Sequence, residues 1–461
     1  MIGQSSRLRL ARAAIAATLL LTTTVATAQS TPPVPASQQE FWTHFQKGDW
    51  DAAIAEAQRM LSAERGKPSP EPMRLVEALN LLGSAQLKNG DYLGAEASFK
   101  ESLATLESKV GRTSGALVEP LRGLGFTLAA SGRHQDALPY LDRALSVARH
   151  SYGLFDMGQQ SILLQLATSM TMSGQATEAQ RHLQYLMRAA QSTYGARDPR
   201  MAPVLCQIGQ WYADLGVYSI ARTHYRDAIA IVERSLGKAD PALVEPLRAL
   251  ARSYTTELQL VANGTQVPTA DVDPSDSRLS TKYLSSNGER ALEQALAILD
   301  KGPPSLQDTL AATLVQMGDW YQIKQMPEKA LPYYRRAWTT AVGLGKVDEG
   351  IVAPLSVPQM LYYPAPILST RNQRTPAAQV DEYFVEVEFT VGPDGAVKDA
   401  KAIEHNGTAR HVADTLGAIR MARFRPKFVE GEPVEASSLT FREIFRIRKQ
   451  TTENSGTKAA S

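Results

Sequence analysis

Five glycines, Gly48, Gly90, Gly132, Gly174 and Gly216, each stand 42 positions from the next. A second series, Gly111, Gly153, Gly195 and Gly237, keeps the same interval. Five residues after each glycine of the first series comes an alanine: Ala53, Ala95, Ala137, Ala179 and Ala221. Seven before it, in four of the five units, comes a small residue: Gly83, Gly125, Ala167 and Gly209. A register this regular restricts the chain to a stack of like units, each burying its apolar face against its neighbours.

The unit is a helical hairpin. A Leu or Ile followed by a small residue, as in Leu82-Gly83, Leu124-Gly125, Leu166-Ala167 and Ile208-Gly209, lets two helices approach closely. The glycine of the first series ends the first helix, because it enters the left-handed region at little steric cost. The alanine packs the second helix onto the first, and Phe99, Leu141, Leu183 or Tyr225 four residues later continues the apolar stripe. The second glycine closes the second helix.

This spacing resembles the tetratricopeptide family, whose small–x11–Ala–x3–Phe/Tyr–x2–Ala pattern is matched by Gly83, Ala95 and Phe99, then by Gly209, Ala221, Tyr225 and Ala228. Gly318, Ala330, Tyr334 and Ala337 match it again, with Gln325 where the interhelix glycine would stand. The family's usual period is shorter, and the longer one resembles variants with extended helices. The resemblance implies an α-helical solenoid over 38–355. Two irregularities interrupt it. Residues 261–287, rich in Ser, Asp, Thr, Pro and Gly, read as an inserted loop, with the second helix resuming at Arg290. Ile351-Val352-Ala353-Pro354-Leu355 restarts the first-helix pattern and then dissolves into Tyr362-Tyr363-Pro364-Ala365-Pro366, where a linker over 356–380 begins.

Beyond that the period changes to two. Tyr383, Val385, Val387, Phe389 and Val391 alternate with Phe384, Glu386, Glu388 and Thr390, the signature of a half-buried strand. Gly392-Pro393-Asp394-Gly395 turns the chain into a returning strand over 396–403. A helix over 408–422 and a last strand from Leu439 to Ile447 complete a small α+β unit of order β-β-α-β over 381–450, followed by a disordered tail at 451–461. The order resembles the C-terminal domain of the TonB family, carried by Val385 to Val391, Asp394-Gly395-Ala396-Val397, the Arg420 to Phe428 segment, Gly431-Glu432-Pro433-Val434 and Tyr363-Pro364. Energy-transducing members of that family have an N-terminal anchor and a Pro-rich spacer, and here a solenoid stands in the middle.

The first residues bear on location. Arg7, Arg9 and Arg12 precede an uncharged stretch from Ala13 to Val25, and Ala26-Thr27-Ala28 offers the small residues a signal peptidase reads. Cleavage before Gln29 makes residues 1–28 a signal peptide and the mature chain periplasmic. Retention would make an inner-membrane anchor, for which the stretch is short and rich in Ala and Thr. A single cysteine, Cys206, rules out internal disulfides and sits in an apolar run as a small buried hydrophobe.

A formal net charge of +2 without a long basic run argues against nucleic-acid binding. The seven histidines show no metal-ligand spacing and read as surface or helix-edge residues, and no phosphate loop or nucleophile elbow is present. Neither enzyme chemistry nor a cofactor or metal is expected. The basic run Arg420, Arg423, Arg425, Lys427, Arg442, Arg446, Arg448 and Lys449 reads as compensated by Glu430, Glu432, Glu435 and Glu443.

Two surfaces are expected to bind a partner. The TonB resemblance places the last strand at a sheet edge, free to pair with an extended segment. Leu439, Phe441, Phe445 and Ile447 then face the core, and Thr440, Arg442, Ile444 and Arg446 are readable, with Glu443 marking a bulge. The tetratricopeptide resemblance places a groove on the first helix of each unit, lined by Glu77, Asn80, Ser84, Glu119, Arg122, Phe126, Glu245, Arg248 and Arg252. Taken singly, each of these reads better as a solvated helix-face residue than as a contact. The sum is a periplasmic scaffold for protein partners of the cell envelope, an outer-membrane receptor or a peptide segment among them. The alternative is an anchored transducer acting on outer-membrane receptors.

Overall fold

A computed structural model describes residues 38–262, 281–345, 355–366, 369 and 379–449. The described residues divide into two compact units, one up to Trp211 and one from Tyr212 onward. The expected signal segment 1–28 and tail 451–461 lie outside the described residues.

The first unit is built of antiparallel helix pairs: α1 (Gln39–Lys47) with α2 (Trp50–Arg65), α3 (Pro72–Asn89) with α4 (Tyr92–Val110), α5 (Val118–Ala130) with α6 (His134–Tyr152), and α7 (Gln160–Met172) with α8 (Ala176–Tyr194). Helix α9 (Met201–Asp214) crosses the division. At the α3–α4 turn Gly90 adopts φ 81°, and its N–H reaches the carbonyls of Gln86 and Leu87. Asp91 then caps α4 by accepting from the Gly94 N–H at 3.0 Å. The alanines of the repeat are sealed: Ala53, Ala95, Ala137 and Ala179 have no exposed surface. The small residues earn their place by contact. A Cβ on Gly123 would lie 2.3 Å from the Phe99 ring, and one on Gly83 would lie 2.9 Å from it. Phe99 of α4 is thus clasped between α3 and α5. Cys206, expected to be buried, is only partly so.

The second unit continues with α10 (Tyr218–Leu236), α11 (Val244–Ala262), α12 (Thr281–Leu299), α13 (Gln307–Ile323) and α14 (Pro327–Gly343). The helix expected from Arg290 begins at Thr281, because the run from Thr281 to Arg290 holds no proline to stop it; residues 263–280 lie outside the described set. Gln325 takes the interhelix left-handed position with φ 59°, while the Met326 N–H reaches the Tyr321 carbonyl at 2.9 Å. The helical restart expected at 351–354 also lies outside the described residues.

The C-terminal domain holds the expected frame: β2 (Val380–Val391), β3 (Val397–His405), α15 (Ala409–Met421) and β7 (Ala436–Arg448). Three short strands, β4 (Arg423–Arg425), β5 (Lys427–Val429) and β6 (Glu432–Val434), were not expected. The main sheet has the order β3-β2-β7, all antiparallel. Its buried face packs Val385, Val387, Phe389, Val391 and Phe445 against Ile419 and Phe424. The expected linker at 356–380 is corrected: β1 (Gln359–Tyr362) pairs with β4, and Tyr363 is buried in the sheet's core. Glu443 is not a bulge. It stays in register with Val385, and its carboxylate accepts the Tyr363 hydroxyl at 2.6 Å, which accounts for an acid on the inner face. The irregularity lies between Phe389 and Val391 instead. Ile447 is 38% exposed rather than core. His411, expected at a surface or helix edge, is buried, stacks on Phe445 at 4.4 Å, and closes the capping box with Thr408.

Candidate interaction surfaces

Strand β7 pairs on one side only among the described strands. The Lys449 N–H donates to the Gln379 carbonyl at 3.0 Å, and the β2–β7 register runs without a shift from Val380↔Arg448 to Phe389↔Leu439. In an antiparallel ladder, bonded and non-bonded pairs alternate. The odd-numbered residues of β7 therefore spend their backbone groups on β2. The even-numbered ones, Thr440, Arg442, Ile444 and Arg446, turn theirs outward along the edge. All four expected edge residues fall on that set. Their side chains lie on the face away from the core, where Arg442 bonds Glu386 at 2.8 Å and Glu404 at 3.2 Å, and Arg446 bonds Glu382 at 3.2 Å. Glu388 holds Lys401 at 2.9 Å. The basic end was expected to be compensated by Glu430, Glu432, Glu435 and Glu443; the ion pairs of Arg442 and Arg446 are instead made with Glu386, Glu404 and Glu382.

The first-helix stripe is placed in three groups. On α3, Glu77 is exposed, and the Asn80 carbonyl accepts from the Ser102 hydroxyl at 2.7 Å. On α5, Arg122 donates to both Glu119 oxygens at 2.6 and 2.7 Å and lies over the Phe126 ring at 5.6 Å. On α11, Glu245 is exposed and stands 3.5 Å from Arg248 and 3.9 Å from Arg252. Burial lowers the pKa of Arg248, Glu245 opposes this, and Arg252 adds to it. The Arg248 Nε is buried without a hydrogen-bond partner among the described residues.

Lys88 belongs to the α3 group and was missed. It lies one turn beyond Ser84, so the stripe carried one position further would have included it. Burial lowers its pKa, and the neighbouring charge of Arg122 lowers it further.

In the second unit the stripe ends on the chain's own C-terminal domain. Asp319 directly follows the small residue Gly318, as Phe126 follows Gly125 and Arg252 follows Ala251. Its carboxylate takes Arg425 of β4 in a fork, with Nε to Oδ1 at 2.8 Å and Nη2 to Oδ2. Arg425 Nη1 donates to Gln359 of β1 at 2.6 Å, and the Tyr334 hydroxyl donates to Asp319 at 2.8 Å. Burial works against the Arg425 charge, but Asp319 outweighs it and the pKa is raised. Burial first, then the Asp319 charge, pushes Tyr334 well up. Around this centre Gln322 donates to the Asp394 carbonyl at 3.0 Å, Gln259 donates to the Leu361 carbonyl at 2.5 Å, and Trp338 stacks on Phe428 at 6.4 Å. Gly395 is required here, since a Cβ would lie 2.1 Å from the Phe424 carbonyl. None of this contact was expected from the sequence.

Among the described residues no group of three or more His, Cys, Asp or Glu could hold a metal ion, and no helix is long and apolar enough to cross a membrane.

The family profile described as "Tetratricopeptide repeat" matches residues 74–150, 116–192 and 158–234. The profile described as "Gram-negative bacterial TonB protein C-terminal" matches residues 384–447. No curated protein matches the chain. Among solved structures, the chain is similar to BtubC (BKLC) from P. vanneervenii at 16% identity and TM-score 0.35, over 64% of this chain and 92% of that one. It is similar to a Podosopora anserina protein with nearly identical TPR-like repeats at 17% identity and TM-score 0.39, over 50% and 98%. It is also similar to aspartyl phosphate phosphatase F from Bacillus subtilis at 11% identity and TM-score 0.40, over 68% and 75%. The chain carries tetratricopeptide repeats followed by a TonB-type C-terminal domain, and these domains support a protein-interaction scaffold.

Proposed function

We propose that the chain is an exported, periplasmic adaptor that captures an extended segment of an envelope protein by strand addition to β7, while its repeats hold a second protein segment. The observation that carries this reading is the edge of β7. Thr440, Arg442, Ile444 and Arg446 turn their N–H and C=O groups away from β2, along the side of β7 where a partner strand would add. Among the described residues no second strand pairs with that edge. The match to a Gram-negative bacterial TonB C-terminal profile supports an envelope setting, and the N-terminal basic–apolar–small pattern supports export.

The test is a pull-down from the envelope fraction with the full chain and with Thr440→Pro or Arg442→Pro. Proline removes one outward N–H without touching the β2 ladder. Loss of co-captured protein, with the melting profile kept, supports strand addition. Unchanged capture sinks it. Sequencing the mature N-terminus separates this reading from an anchored transducer, since a chain beginning at Gln29 is not held by the first segment.

A further inference from the structure

The pair of residues after the second-series glycine is Arg112-Thr113 in one unit and Ala196-Arg197 two units on, each holding a base. The unit between them puts Leu154-Phe155 there. Both side chains stand in water: Leu154 is 60% exposed, Phe155 48%, and nearby Tyr152 57%. Single exposed apolar residues are ordinary, but three large ones within four positions form a patch.

The backbone fixes this display. The Gln159 amide donates to the Gly153 carbonyl at 2.7 Å, the Tyr185 hydroxyl donates to the Leu154 carbonyl, and the Thr193 hydroxyl donates to the Phe155 carbonyl at 2.8 Å. Three consecutive carbonyls are thus held by Gln159 and α8, so the loop keeps Leu154 and Phe155 outward. On its other side the Tyr152 hydroxyl donates to the Gly115 carbonyl at 3.1 Å, and the Ser151 hydroxyl donates to the Thr113 carbonyl at 3.4 Å. Those bonds set the Arg112 loop alongside.

The charge around the patch is positive. Lys109, Arg112 and Arg197 are all exposed, and Lys109 and Arg112 pair with no acid among the described residues. The acids of the same three segments are occupied within the chain. Glu107 takes Arg143 at 2.5 Å, Asp156 accepts the Gly158 N–H at 2.8 Å, and Asp198 takes Arg200 at 2.9 Å.

We infer that this end of the first unit's hairpins lies on an anionic lipid surface. Leu154 and Phe155 enter the boundary between headgroups and acyl chains, Tyr152 sits at the headgroup level, and Lys109, Arg112 and Arg197 meet lipid phosphates. Complementary charge selects this occupant. Three apolar side chains are too few for a protein interface, which takes about 20–30 residues a side, whereas lipid needs no matching shape. The contact is separate from β7 and from the first-helix stripe.

The probe is vesicles of equal parts phosphatidylglycerol and phosphatidylcholine, brominated on the acyl chains, added to the full chain and to Phe155→Trp. The readout is the fluorescence quenching that Phe155→Trp gains over the unsubstituted chain, so lipid contact elsewhere in the chain cancels. The added indole is quenched by these vesicles and not by brominated phosphatidylcholine alone. In that background Lys109→Gln with Arg112→Gln raises the lipid concentration for half-quenching about tenfold, and Leu154→Ser raises it too. Arg442→Pro leaves it unchanged. Leu154→Trp is a second reporter, and the melting profile checks that each variant folds. No gain in quenching with either reporter, or equal quenching by the neutral vesicles, overturns the inference. If Leu154→Ser loses an envelope protein in a pull-down while neither vesicle quenches, the loop is a protein contact and the lipid surface is refuted.

Discussion

Asp319 and Arg425 stand 106 residues apart and meet fork to fork, with side chains 16% and 7% exposed. The pair sits where the last helical hairpin meets the C-terminal domain, and Tyr334 and Gln359 satisfy what remains of both groups. Breaking a buried pair from one side leaves a charge without a partner, which costs about 3–5 kcal/mol. Asp319→Ala is therefore expected to destabilise the second unit by that amount and to speed hydrogen exchange in β1 and β4. Replacing both, Asp319→Leu with Arg425→Met, is expected to restore much of the loss. Wild-type exchange in β1 and β4 of Asp319→Ala would show that the pair does not tie the domain down.

The repeat was legible because each of its parts is local. A glycine that must turn left, an alanine that must touch and an aromatic four residues on are fixed by the geometry of one hairpin, so they recur at one interval. The alternation along β2 and β7 was legible for the same reason, whereas the edge position of β7 was expected only from the TonB resemblance. Docking was not. Arg425 lies in a basic run and Asp319 in a helix, and nothing in either neighbourhood encodes the other. The short strand β1 was read as linker because a four-residue ribbon has no periodicity of its own, only a partner in β4. Lys88 was lost through stopping the stripe at Ser84, one turn early.

The small positions predict a contrast between two kinds of glycine. A Cβ at Gly318 would lie 2.3 Å from the Tyr334 ring, whose hydroxyl serves Asp319. Gly318→Ala thus forces the ring aside, at about 1–3 kcal/mol, and is expected to weaken the Asp319 cluster as well. At Gly90 a Cβ meets nothing within 4 Å, and only the left-handed backbone opposes it. Gly90→Ala is expected to cost about 1 kcal/mol. Denaturant titration of the two variants separates the mechanisms, and equal losses would count against the close-contact account.

Parity along β7 predicts that neighbouring prolines act differently. Phe441 turns its N–H to β2 and pairs with Val387, whereas Arg442 turns its N–H outward. Phe441→Pro removes a ladder bond as well as an aromatic that packs on Tyr363 at 4.8 Å, so the domain's melting transition should fall well below that of Arg442→Pro. If the two prolines lower the transition equally, the assignment of outward groups is wrong.

Acid should loosen the second unit through His224. Its ring stacks on Tyr212 at 5.6 Å, and its Nδ1 is buried with no hydrogen-bond partner among the described residues. Burial lowers its pKa, with Asp227 opposing. In the unfolded chain the imidazole returns to an ordinary value of about 6.5 and binds a proton that the folded chain refuses. Stability is therefore full above about pH 6.5 and falls as the pH drops toward the depressed folded value. His182 acts in the same direction in the first unit, lowered by burial and by Arg149 against the pull of Asp142, whose own pKa is raised by burial and offsets part of the effect. Ion-paired carboxylates such as Glu96, held low by Lys100, lose their contribution only below about pH 4.5. Between pH 7 and pH 5 the melting temperature should thus decline, and His224→Phe should flatten that decline for the second unit while keeping the stack on Tyr212. A decline of the same slope in the variant would remove His224 as its source.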